Sequence, residues 1–284
     1  MNVSAKNHSK KHAVTSTADH DVSDLAASEL LRVNSGGTAI ESSGMTLDGW
    51  IDPGETWVYS SADAPNFTFK IEGVDVTAKY SKGMRIRMSQ STGGTKYFVI
   101  VADPSFSTDT SVTVYGGSDY TLNNETISSP VYSPLYSPVG FPLDKAQWSE
   151  RVSDTSFASQ SAPVVNTKYN LGSISIDIPL GLWNTQYKAN LFVRENDGQG
   201  DSLRIYSTLS KANNTEDDTD WTLLGGSSVE NATGGTDDFR FVTTLYASKQ
   251  LDLSAKDTYY LNAWTDIANL TNIAFQGNAV PTII

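Results

Sequence analysis

The sequence predicts an all-β protein: a small antiparallel β-barrel or sandwich domain, then a jelly-roll-like β-sandwich, both behind an extended N-terminal arm. Three observations lead there. Apolar residues alternate with polar ones in many short runs, which is the period of a half-buried strand. Gly, Pro, Asn and Asp clusters separate those runs at short intervals. The chain is rich in aromatics (13 Tyr, 10 Phe, 6 Trp), and only 18% of its 284 residues are charged, a palette suited to pleated, half-buried surfaces.

The arm spans residues 1–46. From His12 to Gly44 it is dominated by Ser, Thr, Ala and small polar residues. Leu25, Leu30, Leu31, Val33 and Ile40 are nearly all that it has to bury. Such a segment cannot offset its own ordering entropy as a free domain. It is either a flexible tail or a segment ordered by neighbouring chains, and Leu25, Leu30, Leu31 and Val33 are its candidate oligomer or anchor contacts. Val22 to Leu31 (VSDLAASELL) predicts one short helix, capped by Ser23 or Asp24. Asn34-Ser-Gly-Gly37 after it is a turn signal.

Residues 47–148 read as short strands with tight turns. Phe67-Thr-Phe69-Lys-Ile71, Met84-Arg-Ile86-Arg-Met88 and Val112-Thr-Val114 alternate with period two. Lys96 to Val101 is a near-continuous apolar run, as a central strand requires. Ser129-Pro-Val-Tyr-Ser-Pro-Leu-Tyr-Ser-Pro138 follows, and its three prolines predict an extended strap that joins no regular sheet. Residues 159–284 supply the second domain. Ile174 to Ile178, Tyr187 to Arg194, Leu203 to Leu209, Phe239 to Tyr246, Tyr259 to Trp264 and Ile273 to Phe275 all read as strands. About eight strands in roughly 120 residues fit a sandwich. The apolar end, Val280 to Ile284, either seals against a neighbour, completes an edge strand or frays.

Composition excludes several functions. The formal charge of -12 and pI near 4.6 repel phosphate backbones, so no nucleic-acid partner is expected. The basic run Lys6 to Lys11 reads as a solvated tail. The absence of cysteine removes disulfides, thiolate metal sites and thiol catalysis together. No apolar run has signal-peptide or membrane-spanning length, so neither export nor membrane insertion is expected.

Each candidate for chemistry has a plain competitor. The three histidines, His8, His12 and His20, all lie in the arm, so neither β-domain can use a histidine base, and no Gly-x-Ser-x-Gly elbow occurs. His12 and His20 could meet their copies around a metal on a threefold axis, or simply be exposed. Glu216, Asp217, Asp218, Asp220, Asp237 and Asp238 would be the carboxylates of a glycosidase, but acidic loops also arise from turn formation and solubility. In Glu195 to Asp201 (ENDGQGD), Asp197 and Asp201 are weak candidate calcium ligands, although Asp-Gly is also a common hairpin turn. Trp183 and Trp221 flank loops and are candidate sugar-stacking residues, whereas Trp50, Trp57 and Trp264 sit in alternating runs that read as core.

The arm, with His12-Ala-Val-Thr-Ser-Thr-Ala-Asp-His20 and Leu30-Leu-Arg-Val-Asn-Ser-Gly-Gly-Thr-Ala-Ile-Glu41, resembles the N-terminal segments of tailed-bacteriophage fibre and appendage proteins. The middle domain resembles a module of phage and prophage structural proteins. Gly49-Trp-Ile-Asp-Pro-Gly-Glu-Thr-Trp57, Asp75-Val-Thr-Ala-Lys-Tyr-Ser-Lys-Gly83, Thr95-Lys-Tyr-Phe98, Gly117-Ser-Asp-Tyr120 and Gly140-Phe-Pro142 carry that likeness. It covers roughly the first half of the chain. The resemblance implies a virion protein without catalytic residues or cofactor: a homotrimeric fibre subunit of the tail or baseplate. Its arm would grip another virion protein, and its distal sandwich would meet a host-surface glycan. A head fibre or capsid decoration protein is the alternative, and a polysaccharide-cleaving tailspike a second.

Overall fold

The computed structural model describes residues 29–33, 40–195, 203–227, 239–276 and 282–283. All regular structure among them is strand, apart from three single 3-10 turns. The chain divides into two compact units, residues 1–144 and 145–284.

In the arm, β1 (Glu29–Val33) and β2 (Ile40–Thr46) pair antiparallel and form a two-stranded sheet of their own. This corrects the expected helix over Val22 to Leu31. Residues 22–28 lie outside the described residues, and residues 29–31 are extended. A ten-residue helix is marginal alone, whereas the run Leu30 to Val33 finds a cross-strand partner on the far side of the Asn34–Gly37 turn signal.

The rest of the first unit is one seven-stranded sheet. Its strands are β3 (Val58–Asp63), β4 (Asn66–Ile71), β5 (Arg85–Gln90), β6 (Gly94–Ile100), β7 (Ser105–Phe106), β8 (Thr110–Tyr115) and β9 (Ser128–Ser133). They run in the order β3-β4-β8-β6-β5-β9, with the short β7 beside β8. The period-two runs place Phe67, Phe69, Ile86, Met88, Phe98, Ile100, Val112 and Val114 in one core. Trp57 stacks on Phe69 there at 4.4 Å between ring centroids. Trp50 is buried as well, with the Arg87 guanidinium 4.7 Å above its ring.

Two local features needed the structure. Lys96 interrupts the apolar run of β6 on its inward side, yet it is buried. Its Nζ donates to Gln90 Oε1 at 2.9 Å and to Thr121 O at 2.6 Å, which meets the requirement that a buried ammonium be paired. Pro130, expected to forbid sheet, lies inside β9. It is tolerated because β9 is the edge strand and because the β5–β9 register shifts between Arg87 and Ser89, opposite that proline. Beyond β8, a Cβ on Gly116 would stand 2.2 Å from Tyr120 O, so only glycine fits that turn.

The second unit is a sandwich of two antiparallel sheets. Its strands are β10 (Ser153–Asp154), β11 (Ala158–Ser161), β12 (Ser175–Ile178), β13 (Gly181–Glu195), β14 (Leu203–Ser210), β15 (Leu223–Ser227), β16 (Phe239–Leu253), β17 (Asp257–Trp264), β18 (Asn272–Phe275) and β19 (Thr282–Ile283). One sheet runs β10-β19-β13-β18-β11, with β16 on the other edge of β13; the second runs β12-β17-β14-β15. Tyr187, Leu191 and Val193 of the first sheet and Ile176, Ile205 and Leu261 of the second share one core. β19 fits between β10 and β13, so the apolar end of the chain completes a sheet.

β13 and β16 pair without a break over 15 residues, from Gly181↔Leu253 to Glu195↔Phe239. This ladder is longer than the sequence suggested, because Thr185 and Lys249 occupy inward positions where an apolar residue would have continued the pattern.

Two outcomes follow from this packing. Trp57→Ala should cost about 3–5 kcal/mol in the first unit's unfolding transition, read by chemical denaturation, because it removes a fully buried ring from a close-packed core. The Glu125 carboxylate accepts from Ser91 Oγ, Thr92 N and Thr92 Oγ1 at 2.6–3.0 Å. The Thr92 bonds above all hold its pKa down to about 2, from an ordinary 4.5. A depressed folded pKa gives stability that is complete above the unfolded value and lost as pH falls through the folded one. Glu125→Gln should therefore flatten the acid side of the stability profile between about pH 4.5 and about 2.

Candidate functional site

Among the described residues, part of one edge of the inner strand β13 has no strand beside it. β18 pairs with residues 191–194 of that edge, and β19 reaches Lys188. On the same edge Arg194 O accepts from Thr271 N and Asn190 O from Gln276 N, at 2.8 and 2.9 Å. Backbone groups of every second residue point the same way in an antiparallel strand. The N–H and C=O groups of Leu182, Asn184 and Gln186 therefore face this edge too, and among the described residues no strand pairs with it there.

A cleft of roughly 320 Å³ lies at this edge. Its apolar part is Trp183 and Trp148 with Ile176 and Ile178 of β12; its polar part is Ser149, Glu150, Arg151, Asn184, Thr185 and Gln186. Trp183 is fixed by packing on the sandwich core and by donating Nε1–H to Pro179 O at 2.8 Å. The indole is thus oriented, with its one polar group already satisfied, and the residue lines the cleft.

A second depression of about 420 Å³ adjoins the first through the shared residues Asn184, Thr185 and Gln186. It is completed by Tyr246, Ser248, Lys249 and Gln250 of β16. Asn184 stands opposite Gln250, and Gln186 opposite Ser248. The Tyr246 hydroxyl donates to Gln186 Oε1. Lys249 is held by Asp218 and Asp220, which raise its pKa through hydrogen-bonded ion pairs. The lining of this depression is therefore mostly hydroxyl and amide, and its ammonium is neutralised by neighbouring carboxylates.

Of the two tryptophans singled out in the sequence, the structure brings only Trp183 to the cleft. Trp221 is a correction. The 3-10 turn Thr219–Trp221 tucks it into the core at 1% exposure, its ring 6.1 Å from that of Tyr187. The Tyr187 hydroxyl donates to Trp221 O at 2.8 Å, and burial pushes the phenol pKa up to about 12. No sugar can stack on a ring so enclosed. Trp148 is the residue that sequence reasoning missed; it follows the proline strap and belongs to no periodic run.

The acidic loop before Trp221 is occupied with structural work. Glu216 accepts from Thr222 Oγ1 and pairs with Lys168, Asp217 accepts from Lys211 N, and Asp218 caps the 3-10 turn by accepting from Asp220 N. Among the described residues no three His, Asp or Glu side chains are placed to hold a metal ion. Asp197, Asp201, Asp237, Asp238, His8, His12, His20 and Leu25 lie outside the described residues. Leu30, Leu31 and Val33 belong to β1.

No protein-family model matches the chain, and no curated protein matches it. Among solved structures, the chain aligns with infectious bursal disease virus proteins. One belongs to the T13 viral particle, at 11% identity and a TM-score of 0.19, with 90% of this chain covered. The other belongs to the Gx strain, at 8% identity and a TM-score of 0.14, again with 90% covered. The chain spans 65% of the length of the first and 70% of the second. Alignments this loose establish no common fold.

Proposed function

We propose that this chain is a non-enzymatic structural subunit of a tailed-phage virion: a fibre subunit that associates with two sister copies and a virion anchor through residues 1–46, and serves host attachment. The observation that carries the reading is the solitary hairpin. β1 and β2 form a sheet with no third strand among the described residues, and a two-stranded hairpin is marginal in water unless something covers it. The arm's few apolar residues make that cover an intermolecular one. Burial of a Leu or Val side chain contributes about 1.5–3 kcal/mol, and three copies of Leu25, Leu30, Leu31 and Val33 would provide it together.

Other features agree with a scaffold role. The described carboxylates of the acidic loop serve caps and ion pairs rather than facing one another across a gap. In the sequence the two β-units follow the arm one after the other.

The decisive test is the mass of the purified full chain in solution by light scattering. A species of three times 30.7 kDa is expected, and removal of residues 1–46 should yield a monomer with unchanged β-sheet circular dichroism. A full chain that stays monomeric at all concentrations, or a truncated one that still forms trimers, would overturn the arm's assigned role. Release of reducing ends from host polysaccharide by the purified protein would overturn the non-enzymatic reading.

A further inference from the structure

We infer that the cleft beside residues 182–186 of β13 is a strand-acceptor slot. It takes an extended segment of about five residues from a partner protein, which completes the first sheet of the second unit. The sheet order sets the width of the slot. β19 lies between β10 and β13, so β10 stands two strand spacings from β13, about 10 Å. β19 pairs with β10 through Thr282 and Ile283 and meets β13 at Lys188. From Lys188 back toward the start of β13, no described strand fills that interval. Its far wall is the chain that leads into β10. There Trp148, Glu150 and Val152 are half-buried while Ser149 and Arg151 are exposed, an alternation that runs on into Ser153 and Asp154 of β10. The cleft of roughly 320 Å³ lies between this wall and residues 183–186. All of these residues belong to the second unit, so the slot is independent of the arm.

A polypeptide backbone is what this interval fits. Leu182, Asn184 and Gln186 each turn one N–H and one C=O toward it, at the two-residue period that another strand matches. Residues directly opposite one another in an antiparallel pair share a face. Of the β13 residues here, Trp183 packs on the core and Thr185 is buried. Positions of the incoming strand opposite these two therefore enter the space beside Ile176 and Ile178 of β12, and burial there favours apolar side chains. Positions opposite Leu182, Asn184 and Gln186 stand on the exposed face, where the two amides suit uncharged polar residues. The accepted sequence is thus polar at its ends and centre and apolar at the second and fourth positions. Trp183 is already held by its bond to Pro179 O, so the apolar wall is set before the strand arrives. Every pairing in this sheet is antiparallel, which lays the segment antiparallel to β13, in line with β19.

The test titrates the full chain into short fluorescein-labelled peptides of that pattern, read by fluorescence anisotropy. Val, Ile, Leu or Phe occupy the apolar positions, and Ser, Thr, Asn or Gln the others. Saturable binding of at least one peptide is expected. N-methylation of its central backbone amides keeps every side chain and should weaken binding about tenfold or more, because ladder hydrogen bonds are lost. Asn184→Pro removes an N–H that faces the slot and no bond to β16, and it should weaken binding by about as much. The N-methylated peptide probes the unaltered chain, so the result does not hang on the folding of the proline variant. Bound peptide should also slow hydrogen exchange at Leu182, Asn184 and Gln186 and leave Trp183 and Thr185, which face β16, as they were. A peptide set with no saturable binder, or binding unchanged by N-methylation, would overturn the slot. Slow exchange at the three edge amides without peptide would overturn it too. Protection lost on dilution would give the interval to a sister copy, and protection at every concentration to a segment of the same chain.

Discussion

A β-strand is stable in water only when its edges are paired or protected and at least one of its faces is covered. Most of this chain meets that constraint internally. In the first unit, β4, β5, β6 and β8 place alternate aromatic and aliphatic residues on one core, and the edge strand β9 is blunted by Pro130 and a register shift. In the second, two sheets close over a shared core, and the fifteen-residue ladder between β13 and β16 sets the position of everything around it. Sheet edges end unpaired among the described residues at several strands, β3, β12, β15 and β16 among them; the hairpin of β1 and β2 and the edge of β13 from Leu182 to Gln186 are set apart because the first has no third strand and the second belongs to an inner strand.

The two open places differ in chemistry. The arm is poor in apolar side chains, so what covers it must contribute most of the buried surface, and a threefold bundle of like segments is the simplest source. The β13 edge is backed by a finished core, so its need is for hydrogen-bonding partners rather than for bulk. Trp183 shows how the fold prepares such a place. Its indole is anchored on the core side and satisfied at nitrogen.

Much of the fold was legible in the sequence because period two is a strong signal wherever large apolar residues alternate, as in Phe67 to Ile71 and Met84 to Met88. It failed where inward positions carry polar residues with specific partners. Lys96 is buried through Gln90 and Thr121, and Thr185 and Lys249 extend a ladder that looked shorter. Val22 to Leu31 misled because a local helix signal competes with a pairing that only the partner strand reveals. Trp183 was legible from its place beside a loop, but Trp221, beside a loop in the same way, is swallowed by a 3-10 turn that no local pattern announces. Trp148 and the amides of Asn184 and Gln186 converge only through tertiary structure.

The claim on which the account turns is that the arm gains its order from outside its own subunit. Hydrogen–deuterium exchange of the backbone amides in residues 29–46, compared between assembled full chain and chain diluted to monomer, addresses it directly. The account predicts strong protection in the assembly and rapid exchange in the monomer, while amides of β4 and β8 remain protected in both. Equal protection of residues 29–46 in monomer and assembly would contradict it.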